Sequence, residues 1–201
     1  MIKGLLDILF PRVCINCGKE GKYICDKCKV FISEAEPLIY TEECLDGLIS
    51  VWDYEGLIKE LIHMIKYQGV TDIIKELMSL IDIKVYYQYI TYVPMYLKRE
   101  KRRGFNQSEI IAKELAKKSK ARLLSLLEKV FDTKSQTELT KERRSQNLKD
   151  SFAVNKNIKE IEQVLLVDDF FTTGATMREC CKVLKKAGIE KVWGFTLARI
   201  P

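Results

Sequence analysis

The run Val164-Leu165-Leu166-Val167-Asp168-Asp169-Phe170-Phe171-Thr172-Thr173-Gly174-Ala175-Thr176 constrains this chain more than any other segment. Four consecutive apolar residues leave no polar face, so the strand over 164–167 is expected to be buried on both sides, as in a parallel sheet covered by helices. Two adjacent carboxylates directly after it place charge at the carboxyl end of the strand, where open α/β sheets bind ligands. Thr172, Thr173 and Thr176 offer hydroxyls. Gly174 lets the backbone turn, so that amide N–H groups converge with Ala175 and Thr176 at the start of a helix expected over 176–186, an arrangement that suits a phosphate monoester. Asp168 and Asp169 can accept hydrogen bonds from two neighbouring hydroxyls or hold a hydrated Mg²⁺. One turn thus addresses both ends of a ribose phosphate. The chain contains neither G-x-x-x-x-G-K-[ST] nor G-x-G-x-x-G, so the nucleoside triphosphatase and dinucleotide-binding readings lack their required loops.

The same texture recurs along the chain. Apolar, β-branched or aromatic runs predict strands over 48–54, 89–93 and 192–197, and apolar residues at helical spacing predict helices over 57–65, 72–81 and 108–118. Strands alternating with helices imply an α/β fold with a largely parallel sheet flanked by helices. The expected organisation is a small N-terminal unit over 1–44 and one α/β domain over 45–201. The stretch between 119 and 163 gives no firm assignment.

The N-terminal unit is too small to bury a core of its own. Four of the chain's seven cysteines, Cys14, Cys17, Cys25 and Cys28, form two Cys-x-x-Cys pairs within it, and such paired turns supply four thiolates at tetrahedral geometry for Zn²⁺. Four sulfur ligands leave no open position, so the expected zinc is structural. Cys44, Cys180 and Cys181 read as packed thiols. This cysteine usage points to a reducing, cytoplasmic home. No apolar run reaches the roughly 18 residues that a membrane span needs, and residues 1–10 read as a short amphipathic helix that docks on the protein or a partner.

The Val164 to Thr176 run resembles the signature that binds 5-phosphoribosyl-1-pyrophosphate (PRPP) in type I phosphoribosyltransferases. The whole chain resembles the ComF family of bacterial DNA-uptake proteins. That likeness rests on the paired cysteines, on Arg102-Arg103-Gly104-Phe105-Asn106-Gln107-Ser108, on the segment 136–148 with Phe152, and on the signature, in that order. The resemblance implies a type I phosphoribosyltransferase-like sheet with an N-terminal four-cysteine zinc finger. It also implies that Asp168 and Asp169 bind the ribose hydroxyls and that Thr172, Thr173, Gly174, Ala175 and Thr176 bind the 5′-phosphate, with Mg²⁺ accompanying PRPP. Phe170 and Phe171 stand where a smaller β-branched pair is common. Single-stranded DNA and the proteins of the uptake machinery are the implied partners, and peripheral association with the inner face of the cytoplasmic membrane stays open.

PRPP carries a pyrophosphate that must be neutralised as it leaves. The net charge is +6, and its placement matters more than its sum. Lys98, Arg99, Lys101, Arg102 and Arg103 follow the strand end at Pro94 as a basic loop, with Arg102 and Arg103 the expected catalytic pair beside Asp168 and Asp169. A second cluster, Arg143-Arg144 with Gln146-Asn147, is expected to close over the site as a hood. The sole histidine, His63, falls in an apolar helical run and reads as a partly buried structural residue, so no acid or base is assigned. Whether transfer is catalysed stays open: a non-catalytic module that binds PRPP or DNA, and a nucleobase salvage phosphoribosyltransferase, are the alternatives.

Overall fold

The computed structural model describes residues 11–34, 44–82, 86–132, 150–155, 158 and 160–200. Among them, five strands form one sheet in the order β1-β7-β6-β2-β3. They are β1 (Gly47–Asp53), β2 (Tyr89–Tyr92), β3 (Arg122–Leu123), β6 (Gln163–Phe171) and β7 (Lys191–Arg199). Every pairing is parallel. A separate antiparallel ribbon joins β4 (Leu127–Lys129) to β5 (Phe152–Val154). These short strands fall in the stretch that carries no periodic pattern, which is why it resists assignment from sequence.

Helices α1 (Gly56–His63), α2 (Asp72–Leu80), α3 (Leu97–Arg103), α4 (Gln107–Ser119) and α5 (Ala175–Lys186) surround the sheet. Successive side chains of β6 point to opposite faces and seed two cores. Leu165 and Val167 join Ile58, Leu61, Ile74, Leu77, Ile111 and Leu115 from α1, α2 and α4. Val164 and Leu166 join Met177, Cys180 and Leu184 of α5, with Leu127 and Phe152 of the ribbon. The sheet is thus parallel and covered on both faces, as expected.

Three expectations need correction. The strand begun at Val164 does not stop at Val167 but continues to Phe171, because β7 pairs with it along its whole length, as far as Phe171 opposite Arg199. The acid pair therefore lies within the strand's last turn of pleat. The helix expected over 57–65 ends at His63 and passes into a π-helical turn, Met64–Gln68. His63 itself is exposed, its ring 4.5 Å from that of Tyr67, since the helical period turns position 63 away from the buried Ile58, Leu61 and Ile62.

The cysteine-bearing segment does not stand apart. Ile24, Cys14, Cys25 and Cys28 are buried in the same core as α1 and α2. Glu76 of α2 accepts hydrogen bonds from the backbone N–H groups of Tyr23 and Ile24, at 3.1 and 2.8 Å. The core that this segment cannot build alone is supplied by the helical layer. Residues 1–10 and 35–43, and with them the expected terminal helix and the approach to the 44/45 boundary, lie outside the described residues. No helix among the described residues is long and apolar enough to cross a membrane.

Candidate functional site

Asp168 and Asp169 end the apolar part of β6 at the carboxyl edge of the sheet. Asp168 Oδ1 accepts from the Ser108 hydroxyl at 2.7 Å and from the Asp169 N–H at 2.9 Å. Asp169 Oδ2 accepts from Gln107 Nε2 at 3.1 Å and pairs with Lys66 Nζ at 2.9 Å. Its Oδ1 accepts from the Phe170 N–H at 2.7 Å. A buried carboxyl directly beside another carboxylate is disfavoured in its charged form. Burial, and then repulsion from Asp169, push Asp168 up to about 7 against the opposing pull of the Ser108 hydroxyl. The two adjacent acids are therefore held differently: Asp169 has the Lys66 ammonium beside it, whereas burial and its neighbour disfavour the charged form of Asp168.

Residues of α4 reach the pair because of Asn106. Its side-chain oxygen accepts the Ser108 N–H at 3.1 Å and caps α4, while its amide donates to the Val93 carbonyl at 3.1 Å and ties the helix start to the end of β2. Gln107 and Ser108 are thereby fixed over β6. Gln107 is buried, and its side-chain oxygen has no hydrogen-bond partner among the described residues, which leaves an acceptor beside the acid pair.

The turn after β6 builds a small cavity of about 200 Å³, lined by Thr172, Thr173, Gly174, Ala175, Thr176, the acid pair and Lys66. Gly174 has φ +71 and precedes α5. A Cβ there would also come within 2.5 Å of the Phe171 ring, so glycine is required twice over. Gly174 has no side chain with which to cap the helix, and a helix start of this kind suits an anion.

A larger cavity of about 660 Å³ adjoins it and contains Asp168, Asp169 and Thr176 in one wall, with Lys98, Arg99, Arg102, Arg103 and Lys129 in the others. The basic segment expected as a loop is the short helix α3, closed by Gly104 in the left-handed conformation at φ +85. Arg99 is committed to Asp132 at 2.7 Å. Arg102 and Arg103 line the cavity and form no ion pair among the described residues. Lys129 is held below the usual lysine range by burial and by the Arg99 charge. The structure thus brings Asp168, Asp169, Thr176, Arg102 and Arg103 to one cavity, while the second basic cluster, 141–149, lies outside the described residues.

Sequence reasoning missed Lys66, Gln107, Ser108 and Lys129 as members of this site. Gln107 and Ser108 read only as a helix start, and Lys129 lies in the unassigned stretch. Lys66 offered one signal, a lysine next to the inward-facing Ile65 of an otherwise apolar stripe.

The sulfurs of Cys14, Cys17, Cys25 and Cys28 lie within 4.8 Å of one another. Zn–S bonds of about 2.3 Å in a tetrahedron require sulfurs about 3.8 Å apart, and Cys17 and Cys25 are already at 3.6 Å. Cys14, Cys25 and Cys28 are buried and Cys17 is exposed. Burial works against a thiolate at Cys14, yet N–H groups of Cys25, Cys17 and Asn16 outweigh it and bring that thiol to about 6. The Asn16 amide favours a thiolate at Cys28, but burial and the neighbouring sulfurs push that thiol up to about 12. Sulfurs that crowd each other in this way fit one zinc ion, whose double charge would hold all four as thiolates.

The sheet, with its acid pair and threonine-glycine turn at one strand end, defines a phosphoribosyltransferase-type domain, and the phosphoribosyl transferase domain family matches residues 101–199. Over nearly its full length the chain is similar to curated proteins. Competence protein F of Haemophilus influenzae is 32% identical, across 94% of this chain and 85% of that protein. Competence protein ComFC of Streptococcus pneumoniae is 28% identical, across 96% and 85%. DNA utilization protein YhgH of Escherichia coli K12 is 26% identical, across 93% and 88%. The chain belongs to the ComF family of competence proteins.

Two outcomes are expected. Elemental analysis should find one zinc per chain, and Cys14→Ser or chelation should lower the melting temperature and raise amide exchange across 11–34 and in α2; unchanged exchange in the metal-free chain would refute the zinc assignment. Asp168 supplies the second. Between about 4 and 7 the native carboxyl holds a proton that the unfolded one has lost, so its contribution to stability falls as pH rises through that window. Asp168→Asn should therefore stabilise the ligand-free protein by about 1–2 kcal/mol at pH 8. The gain should vanish at pH 4, as measured by urea unfolding.

Proposed function

We propose that this chain is a PRPP-binding, Mg²⁺-assisted phosphoribosyltransferase-like protein that works in the uptake of single-stranded DNA during natural transformation. The observation that carries the first half is the shared cavity, in which the carboxylate pair and Thr176 face Arg102 and Arg103, which form no ion pair among the described residues, across about 660 Å³. A ribose seated on Asp168 and Asp169 has its 5′-phosphate at the Thr172 to Thr176 turn and its C1 substituent toward α3. The names of the relatives, competence proteins and DNA utilization proteins, support the second half.

In transfer, the bond between C1′ and the pyrophosphate oxygen breaks with its electron pair leaving on the pyrophosphate, and an acceptor nucleophile forms the new bond at C1′. Arg102 and Arg103 bind the departing anion, and such fixed charge lowers the barrier without any proton transfer by the protein. The oxygen donors of Asp168 and Asp169 would suit a hydrated Mg²⁺ arriving with PRPP, which would supply positive charge to the ligand's hydroxyls and phosphates. The basic wall of α3 also fits the phosphates of single-stranded DNA.

Replacing Asp168 and Asp169 together by Asn should abolish PRPP binding in calorimetry while the protein stays folded; unchanged affinity would remove the site assignment. Arg102→Ala with Arg103→Ala should lower pyrophosphate affinity and weaken DNA binding, with a shallower dependence on salt. Full DNA affinity in that variant would place the DNA surface elsewhere. Pyrophosphate release, assayed over a panel of nucleobases and with single-stranded DNA, decides between an enzyme and a binding module: sustained turnover supports transfer, and tight PRPP binding without release supports the module.

A further inference from the structure

Lys66 enters the site from the π-helical turn, far from the signature in sequence. Its ammonium is 2.9 Å from Asp169 Oδ2 and 3.3 Å above the centre of the Phe170 ring. Phe170 is in turn stacked on Tyr54, with ring centres 4.9 Å apart. The lysine side chain is only 14% exposed, and it lines the smaller cavity together with the Thr172 to Thr176 turn. Two contacts thus hold one charge in the wall of the cavity that the acid pair and the Thr172 to Thr176 turn share.

An ammonium has three N–H donors. One is taken by Asp169, and the ring face attracts the charge without accepting a conventional hydrogen bond. A phosphate monoester carries roughly −1.5 to −2 charges near neutral pH, whereas the turn from Thr172 to Thr176 brings only hydroxyls and backbone N–H groups. A full positive charge in the wall of that cavity balances what the turn cannot.

We propose that Lys66 is a phosphate-binding residue of this site: it holds Asp169 with one N–H and gives another to the phosphate seated on the Thr172 to Thr176 turn, with Phe170 clamping the ammonium between them. The proposal rests on the ribose-phosphate reading above and extends it to a residue outside the signature. It also accounts for an aromatic side chain at position 170. A small β-branched residue there would leave the lysine without the surface that restrains it.

The test uses the full chain with ribose 5-phosphate and Mg²⁺, by calorimetry and by ³¹P NMR titration of the bound ligand. Lys66→Met should weaken binding about 10- to 100-fold, the range of a lost charge-assisted hydrogen bond. Phe170→Leu should weaken it several-fold, and Lys66→Arg, which keeps the charge, should restore most of the affinity. The second ionisation of the bound phosphate, near pH 6 when free, should lie lower in the wild-type complex and move back up in Lys66→Met. Lys66→Gln serves in place of Lys66→Met if the latter fails to fold in a thermal melt. Unchanged affinity in either variant overturns the proposal. So does lost affinity with an unmoved phosphate ionisation, which would mean that Lys66 acts through Asp169 alone. Absence of ribose 5-phosphate and PRPP binding by the wild-type protein overturns the underlying site reading and this proposal with it.

Discussion

Two adjacent carboxylates at the end of a strand buried on both faces must be compensated, and much of the architecture around β6 serves that requirement. Burying an unpaired carboxylate costs several kcal/mol. Here Lys66, Gln107 and Ser108 converge on the pair from the π-helical turn and from the first turn of α4. Asn106 holds α4 in place by capping it and binding the Val93 carbonyl. Core contacts of Ile65, Ile111 and Leu115 with Leu165 and Val167 bring these elements to the sheet, and the acid pair gives their polar side chains a common partner at its edge. The compensation is also uneven, since Asp169 takes the cation while Asp168 is left with hydroxyl and N–H donors and is raised to about 7. This unevenness leaves Asp168 the more responsive partner for an incoming hydroxyl or cation.

The parts of the fold that are written locally were legible in the sequence. Val164 to Val167 has no polar face, so burial on both sides follows from four residues, and the threonine-glycine turn follows from what a helix start and a left-handed residue need. The cysteine spacing likewise anticipates a cluster of four sulfurs that fits a metal ion. What escaped depends on contacts distant in sequence. Ser108 meets Asp168 across 60 residues and Gln107 meets Asp169 across 62, and no local pattern encodes either meeting. The basic segment 98–103 looked like a loop because Pro94 and Gly104 bracket it closely. Seven residues of helix between them are too few to show a period. His63 was misjudged because its apolar neighbours were counted without placing it on the helical wheel, where it falls on the outer side.

The two cavities divide the ligand chemistry between them. The smaller one is built from a single turn that offers N–H groups, hydroxyls and the Lys66 ammonium. The larger one gathers cations from α3 and from the β4–β5 ribbon, including Lys129, whose charge is disfavoured by burial and by Arg99. Asp132 compensates Arg99 in this wall, and the further cations gathered there favour the entry of an anion. Under the proposed function, an anionic ligand would be held at the end where a leaving group would depart, apart from the end that binds its 5′-phosphate.

Glu76 and Ile24 tie the cysteine segment to α2, across 52 residues of chain. This has a consequence for the order in which the protein is made. The cysteines leave the ribosome first, but the helix that receives Ile24 and accepts the Tyr23 and Ile24 N–H groups is synthesised only later. Until then the nascent segment has its metal ligands and no floor beneath them. Zinc captured early would act as a placeholder, keeping four thiols together and away from disulfide exchange until the receiving helix emerges. The metal's greatest service to this protein would then come during its birth, before the sheet exists.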